Sequence, residues 1–101
     1  MTQYIITPEA IKDLKMITDY LAQNNLKSAE QLLKQFNKKC YYLVQFPKIG
    51  RSYHHIRPSL RGLPLNGYII FYRLSQDTIE IMRVIKGNRD LGAIFNTDEE
   101  N

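Results

Sequence analysis

A change in hydrophobic period near Pro47 and Gly50 constrains the fold more than any other feature of the sequence. Before this point, apolar residues recur at steps of three and four, which is the spacing of one face of an α-helix. After it, β-branched and aromatic residues come in short runs that are typical of strands. Helices grouped together ahead of grouped strands predict an α+β fold, and a chain of 101 residues suits a single domain over residues 1–101.

The N-terminal segment predicts a strand followed by a helix. Residues 3–7 form a β-branched run. Thr7 can cap a helix, Pro8 fits its first position, and Glu9 suits the positive end of the helix dipole. The helix is expected to end at Asn24-Asn25, and its apolar stripe consists of Ile11, Leu14, Ile17 and Leu21.

A second helix is predicted between Ser28 and Pro47, antiparallel to the first. Ser28 with Gln31 resembles a capping box, and Pro47 stops the helix. Its apolar stripe consists of Ala29, Leu32, Leu33, Phe36, Cys40, Leu43 and Val44. The two stripes should face each other or the sheet.

The C-terminal half predicts a three-stranded antiparallel sheet and a short last helix. Residues 53–56 are a weak strand candidate, residues 67–74 read as a central strand covered on both faces, and residues 75–77 as a hairpin. Residues 78–86 form another strand, and residues 89–95 a closing helix. Alternation in the last strand puts Ile79, Ile81 and Arg83 on one face, Met82 and Val84 on the other. Asp90 is a candidate partner for Arg83.

Charge is distributed unevenly along the chain. Net charge is +4, and residues 32–75 contain no Asp or Glu. The cations of this stretch are Lys34, Lys38, Lys39, Lys48, Arg51, Arg57, Arg61 and Arg73. A surface of one sign attracts a polyanion or an acidic protein, although a merely soluble basic face is the alternative.

Cysteine and terminal sequence bear on the compartment. Cys40 is the only cysteine, so no internal disulfide can form. The first seven residues have no basic segment and no long apolar run, which predicts no signal peptide, and no run is long enough for a membrane span. We expect a cytoplasmic protein.

Five short pieces in a fixed order give the sequence a family resemblance. They are Phe46-Pro47 with Gly50-Arg51, Ile56-Arg57-Pro58 with Leu60-Arg61, the run from Gly67 to Arg73, Ile79 to Val84, and Gly87 with Arg89-Asp90-Leu91. Together with the helical hairpin they resemble the ParE branch of the ParE/RelE toxin superfamily. The resemblance implies a compact RelE/ParE-like fold, a growth-inhibiting, plasmid-stabilising activity, and a cognate acidic antitoxin with which the chain forms a hetero-oligomer.

Two targets are known in this superfamily, and the residues here favour one. RelE-like members cut mRNA on the ribosome, whereas ParE-like members poison DNA gyrase. Where RelE-like toxins carry a catalytic arginine and a tyrosine, this chain has Ile69 and Phe95. The paired lysines of the RelE basic strand align with Arg57 and Ser59, so one of the two cations is lost. Arg89 alone matches a functional RelE arginine. Another ribonuclease variant of the superfamily uses glutamate, arginine and histidine, and this chain has no glutamate near His54 or His55.

The resemblance therefore predicts a gyrase inhibitor without catalytic residues, metal or cofactor. Adjacent His54 and His55 point to opposite faces of a strand and cannot chelate one ion together. The alternatives are a RelE-type ribonuclease acting on mRNA at the ribosome, or a degenerate toxin that only binds antitoxin. Candidate target-binding cations are Arg57, Arg61, Arg73, Arg83 and Arg89. The predicted antitoxin-binding groove consists of Leu14, Ile17, Leu21, Leu32 and Phe36.

Overall fold

The computed structural model describes residues 2–99, with side chains described for residues 2–95. It confirms the α+β class, with the predicted N-terminal strand, helical hairpin, sheet and short last helix. The elements are β1 (Gln3–Ile6), α1 (Pro8–Asn24), α2 (Leu26–Gln45), β2 (Arg51–Ser52), β3 (Arg61–Leu65), β4 (Tyr68–Ser75), β5 (Thr78–Lys86) and α3 (Leu91–Glu99). Among the described residues, none of the helices has the length and apolar character that a membrane span requires.

The helical hairpin has a connection of one residue. Thr7 caps α1 as predicted, because its Oγ1 accepts a hydrogen bond from the Ala10 N–H at 3.3 Å. Asn25 is extended and caps α2 by accepting from the Lys27 N–H at 3.0 Å. The predicted capping box at Ser28 is wrong, since α2 has already begun at Leu26.

The apolar stripes of the hairpin pack on one face of the sheet and form the main core. Its buried helical members are Ala10, Leu14, Leu32, Phe36, Cys40 and Leu43. The prediction of Ile11 as buried is wrong, because Ile11 is 55% exposed and Ala10 takes its place. Ala10, Leu14, Ile17 and Leu21 follow steps of four, three and four, so the buried stripe begins one residue earlier. Leu33 is also exposed.

The sheet has five strands in the order β1-β5-β4-β3-β2, with β4 central as predicted. β1 pairs parallel with β5, and all other pairs are antiparallel. The strand β3 was not predicted, because Gly62 and Pro64 are poor strand formers. Pro64 is tolerated since β2 pairs only with Arg61 and Gly62, which leaves Pro64 at an open edge. Residues 53–56, the weak strand candidate, are a turn.

A bulge in β5 changes which side chains share a face. Phe71 pairs with Arg83 and Tyr72 pairs with Ile81, so Met82 has no partner of its own in the register. One extra residue in a strand reverses the alternation of the following side chains between the two faces of the sheet. Val84 therefore joins Ile81 in the main core, and Arg83 lies opposite Phe71. The predicted faces of Val84 and Arg83 were wrong for this reason.

Candidate protein-docking surfaces

A second apolar cluster covers the sheet face opposite the hairpin. Leu60, Phe71, Ile85 and Phe95 are its buried members. The ring of Phe71 makes edge-on contacts with Tyr53 and with Phe95, both at 5.1 Å between centroids. The turn before β3 and the first two turns of α3 supply the covering side chains. Its half-buried members are Tyr53, Ile56, Ile69, Leu91 and Ile94.

This cluster contains Ile69 and Phe95, two of the positions at which the sequence is expected to differ from RelE-like toxins. Phe95 is 1% exposed, and Ile69 packs against the same cluster. Ribonuclease chemistry needs side chains that can exchange protons, and it also needs cations that stabilise the charge on the phosphate. On this face of the sheet, Ile69 and Phe95 carry apolar side chains that can do neither.

Two of the candidate arginines are bonded to main-chain carbonyls. Arg57 donates from Nη2 to the Phe95 carbonyl at 2.7 Å, and its guanidinium lies 5.3 Å from the centre of the Phe95 ring. Arg61 donates from Nη1 to the carbonyls of Gly50 at 2.7 Å and Lys48 at 3.1 Å. Both side chains thus hold loops and the last helix in place.

The remaining candidate arginines differ in their partners. Arg73 pairs with Glu80 across β4 and β5. Arg83 pairs with Asp13 of α1, not with the predicted Asp90. Asp90 instead accepts from the Ala93 N–H at 3.2 Å in the first turn of α3. Arg89 is exposed and forms no ion pair with the described residues.

The outer edge of β5 is closed by side chains where β1 ends. Thr7 Oγ1 donates toward the carbonyls of Ile81 at 2.8 Å and Met82 at 3.1 Å. The Asp13 carboxylate accepts from the Val84 N–H at 3.0 Å. Main-chain groups that would otherwise pair with another strand are therefore satisfied within the chain.

A groove runs between α1 and the C-terminal end of β5. The side of α1 contributes Met16, Ile17, Tyr20 and Leu21, and the sheet side contributes Tyr68, Lys86, Arg89 and Ile94. Met16 and Tyr20 are 64% and 60% exposed. Besides these apolar side chains, the groove is lined by the ion pair of Asp13 and Arg83 and by the cations Lys86 and Arg89.

The predicted antitoxin-binding residues divide between this groove and the core. Ile17 and Leu21 line the groove. Leu14, Leu32 and Phe36 are at most 8% exposed, so they cannot line a surface groove, and that part of the prediction is wrong. Their helical spacing marks a buried face, and it does not tell whether the sheet or a partner buries it.

A separate apolar hollow lies where α2 ends. Phe46, Pro47, Ile49 and Leu74 line it, together with the stems of Gln45 and Lys48, and its volume is about 480 Å³. Phe46 and Ile49 are each about half exposed. The ring centroids of Tyr42 and Phe46 are 5.0 Å apart. Sequence analysis missed this surface, although the aromatic pair at a spacing of four residues was a signal for it.

Two buried groups with shifted pKa values have structural roles. Burial raises the pKa of the Cys40 thiol to about 12, which fits a core residue and not a nucleophile. Burial also raises the pKa of Tyr72, whose hydroxyl donates to the Pro47 carbonyl at 2.8 Å. Residues 2–95 contain no group of three His, Cys, Asp or Glu side chains that could hold a metal ion.

Comparison with known proteins gives one consistent result. The family described as the ParE toxin of type II toxin–antitoxin systems, parDE, matches residues 4–91. The chain is 29% identical over 92 residues to Toxin ParE1 of Mycobacterium tuberculosis, covering 89% of this chain and 94% of the relative. It is 28% identical over 79 residues to Toxin ParE3 of Caulobacter vibrioides, covering 78% and 79%. A solved structure of the chromosomal ParDE TA system from P. aeruginosa superimposes with a TM-score of 0.68 at 24% identity, covering 85% of this chain and 95% of that one, and so shares the fold.

Proposed function

Because the chain belongs to the ParE toxin family of type II toxin–antitoxin systems, we propose that it inhibits growth by binding DNA gyrase and that a cognate antitoxin neutralises it. The toxin acts by protein–protein contact, and gyrase supplies all the DNA chemistry. One observation carries the choice of gyrase over mRNA. The sheet face with Ile69 and Phe95 is filled by an apolar cluster.

The energetic argument against the ribonuclease alternative rests on what this cluster displaces. Removing one electrostatic stabiliser of a transition state costs on the order of 10²–10³ in rate. Ile69 and Phe95 replace two polar groups at once, and Arg57 is already bonded to the Phe95 carbonyl. Protein–protein inhibition needs none of these groups, so it tolerates the substitutions.

The test compares the two targets with one preparation of toxin. Purified chain is added to gyrase with relaxed plasmid, and separately to ribosomes translating a defined mRNA. We expect loss of supercoiling or trapped cleaved DNA, with the mRNA intact. A RelE-type toxin is the positive control for mRNA cleavage. Codon-positioned cuts that disappear in Arg57→Ala or Arg89→Ala would establish the ribonuclease alternative instead.

For the antitoxin, we propose a helix laid into the groove between α1 and β5. Thr7 and Asp13 satisfy the outer edge of β5, so a strand added there would first have to displace them. A helix needs no main-chain partner, and apolar anchors on one of its faces fit Met16 and Tyr20. Carboxylates along its flank would meet Lys86 and Arg89.

Variants in the groove test the antitoxin proposal. The probe is the product of the short reading frame beside the toxin gene, with its affinity for the chain measured by titration. Met16→Asp should weaken binding at least ten-fold, because it places a charge against an apolar anchor. Tyr41→Asp is the matched control, since Tyr41 is 67% exposed on the outer side of α2 and outside the groove. Equal binding by Met16→Asp and the parent would exclude the groove.

A further inference from the structure

The hollow at the end of α2 is a preformed apolar site that the groove does not include. Phe46 follows the last residue of α2, and its main-chain N–H bonds the Tyr42 carbonyl at 2.9 Å. Pro47 and Gly50 on the other side are held by the buried hydroxyl of Tyr72, at 2.8 and 2.9 Å. The exposed rings of Tyr42 and Phe46 are thus carried on a fixed backbone. Fixed aromatic side chains are the usual anchors of protein interfaces.

The surroundings of the hollow are basic. Five of its lining residues, 45–49, lie inside the acid-free stretch of the sequence, and Leu74 lies near its end. Lys48 stands on the rim, and Arg61 lies beside it through its bond to the Lys48 carbonyl. The nearest acids in sequence are Asp77 and Glu80, and Glu80 is paired with Arg73.

The hollow and the groove lie at opposite ends of β4. Tyr68 lines the groove and Leu74 lines the hollow. Leu74 is six residues after Tyr68 along the extended strand, which corresponds to a distance of about 20 Å. A ligand that occupies one of these sites therefore leaves the other accessible.

We propose that the hollow docks the toxin's target through an acidic protein surface that projects an apolar side chain, and this rests on the proposed function. The apolar lining provides the anchor site, and the cations Lys48 and Arg61 beside it attract the acidic rim of the partner. A second copy of this chain would bring like charges together. Nucleic acid would need cations aimed at phosphates, whereas the lining here contains one lysine and is otherwise uncharged.

The experiment uses Phe46→Asp in the full-length chain, with Tyr41→Asp as control. Both replace an exposed aromatic residue of the same region, and only the first lies in the hollow. Growth inhibition in cells is the main readout because it does not depend on which target is correct. Purified gyrase and the antitoxin probe are titrated in parallel, and unfolding in urea checks the fold. Lys48→Glu is a second variant that alters the rim alone.

We expect Phe46→Asp to abolish growth inhibition and to raise the concentration needed to inhibit gyrase at least ten-fold, with antitoxin affinity within two-fold of the parent. Lys48→Glu should weaken inhibition several-fold, more at low salt than at high salt. Full toxicity of both variants overturns the proposal. The proposal is also overturned if the defect is caused by lost antitoxin binding, by dissociation of a toxin dimer, or by lost DNA binding of the toxin alone. A parent that is toxic without affecting gyrase contradicts only the choice of gyrase, while a parent without toxicity contradicts both.

Discussion

The carboxylate of Asp13 holds the guanidinium of Arg83 in a two-point ion pair. Nε donates to Oδ2 at 2.8 Å and Nη2 donates to Oδ1 at 3.0 Å. Oδ2 also accepts from the Val84 N–H at 3.0 Å, just beyond the point where β1 ceases to cover β5. The side chains of Asp13 and Arg83 are only 13% and 21% exposed, so water cannot fully replace either partner.

Removing this carboxylate should therefore destabilise the fold. We expect Asp13→Ala to lower the free energy of unfolding by about 1.5–3 kcal/mol, the range for hydrogen bonds to charged groups. Asp13→Asn should lose less, because its amide oxygen can still accept from Val84. The control is Asp19→Ala, which removes an exposed pair with Lys15 and should cost about 0.5 kcal/mol or less. Similar urea midpoints for Asp13→Ala and Asp19→Ala would contradict the edge-closing role.

The hydroxyl of Tyr72 is predicted to fix the loop after α2. In Tyr72→Phe the buried Gly50 N–H and the Pro47 carbonyl both lose a partner, which should cost about 1–3 kcal/mol in urea unfolding. Tyr20→Phe removes an exposed hydroxyl and should change stability by less than about 0.5 kcal/mol. Gly50→Ala should also destabilise, since a Cβ there would lie 2.6 Å from the Tyr72 hydroxyl. A Tyr72→Phe variant as stable as the parent would refute this loop contact.

Each face of the sheet is covered by a core that contains a large buried aromatic residue. Phe36 is 2% exposed on the hairpin side, and Phe71 is 0% exposed in the second cluster. Truncating either to alanine should cost about 3–5 kcal/mol, through lost burial and the remaining cavity. Tyr41→Ala, at an exposed position, should cost much less. If Phe71→Ala were nearly neutral, the second cluster would not stabilise the fold.

Cys40 should resist thiol reagents while the protein is folded. Burial raises the pKa of its thiol from 9.0 to about 12, so the thiolate is nearly absent at pH 8. Labelling at pH 8 should be slow in buffer and fast in urea. Because the folded pKa is raised, the contribution of this thiol to stability is unchanged below pH 9 and declines as pH rises from 9 towards 12. The parent should thus lose more stability than Cys40→Ala between pH 8 and pH 10.5, and rapid native-state labelling would contradict burial.

The sequence alone determined the elements that have strong local signals. Thr7-Pro8 fixed the start of α1, and the long β-branched run fixed β4 as the central strand. The order of motifs from Phe46 to Leu91 was sufficient for the family resemblance, which the comparisons confirm. These features depend on short-range sterics, capping and hydrophobic period, and all three can be read from neighbouring residues.

Tertiary structure decided what depends on contacts between distant residues. Met82 became a bulge only because β4 and β5 pair in this register, and that shift moved Val84 and Arg83 to other faces than the alternation predicts. Asp13 became the partner of Arg83 because α1 lies along the edge of β5, 70 residues away in sequence. An apolar stripe indicates that a helix buries one face, but the packing of the chain determines which residues remain outside. For that reason Phe36 proved to be core, and the exposed surfaces proved to be the groove at Met16 and the hollow at Phe46.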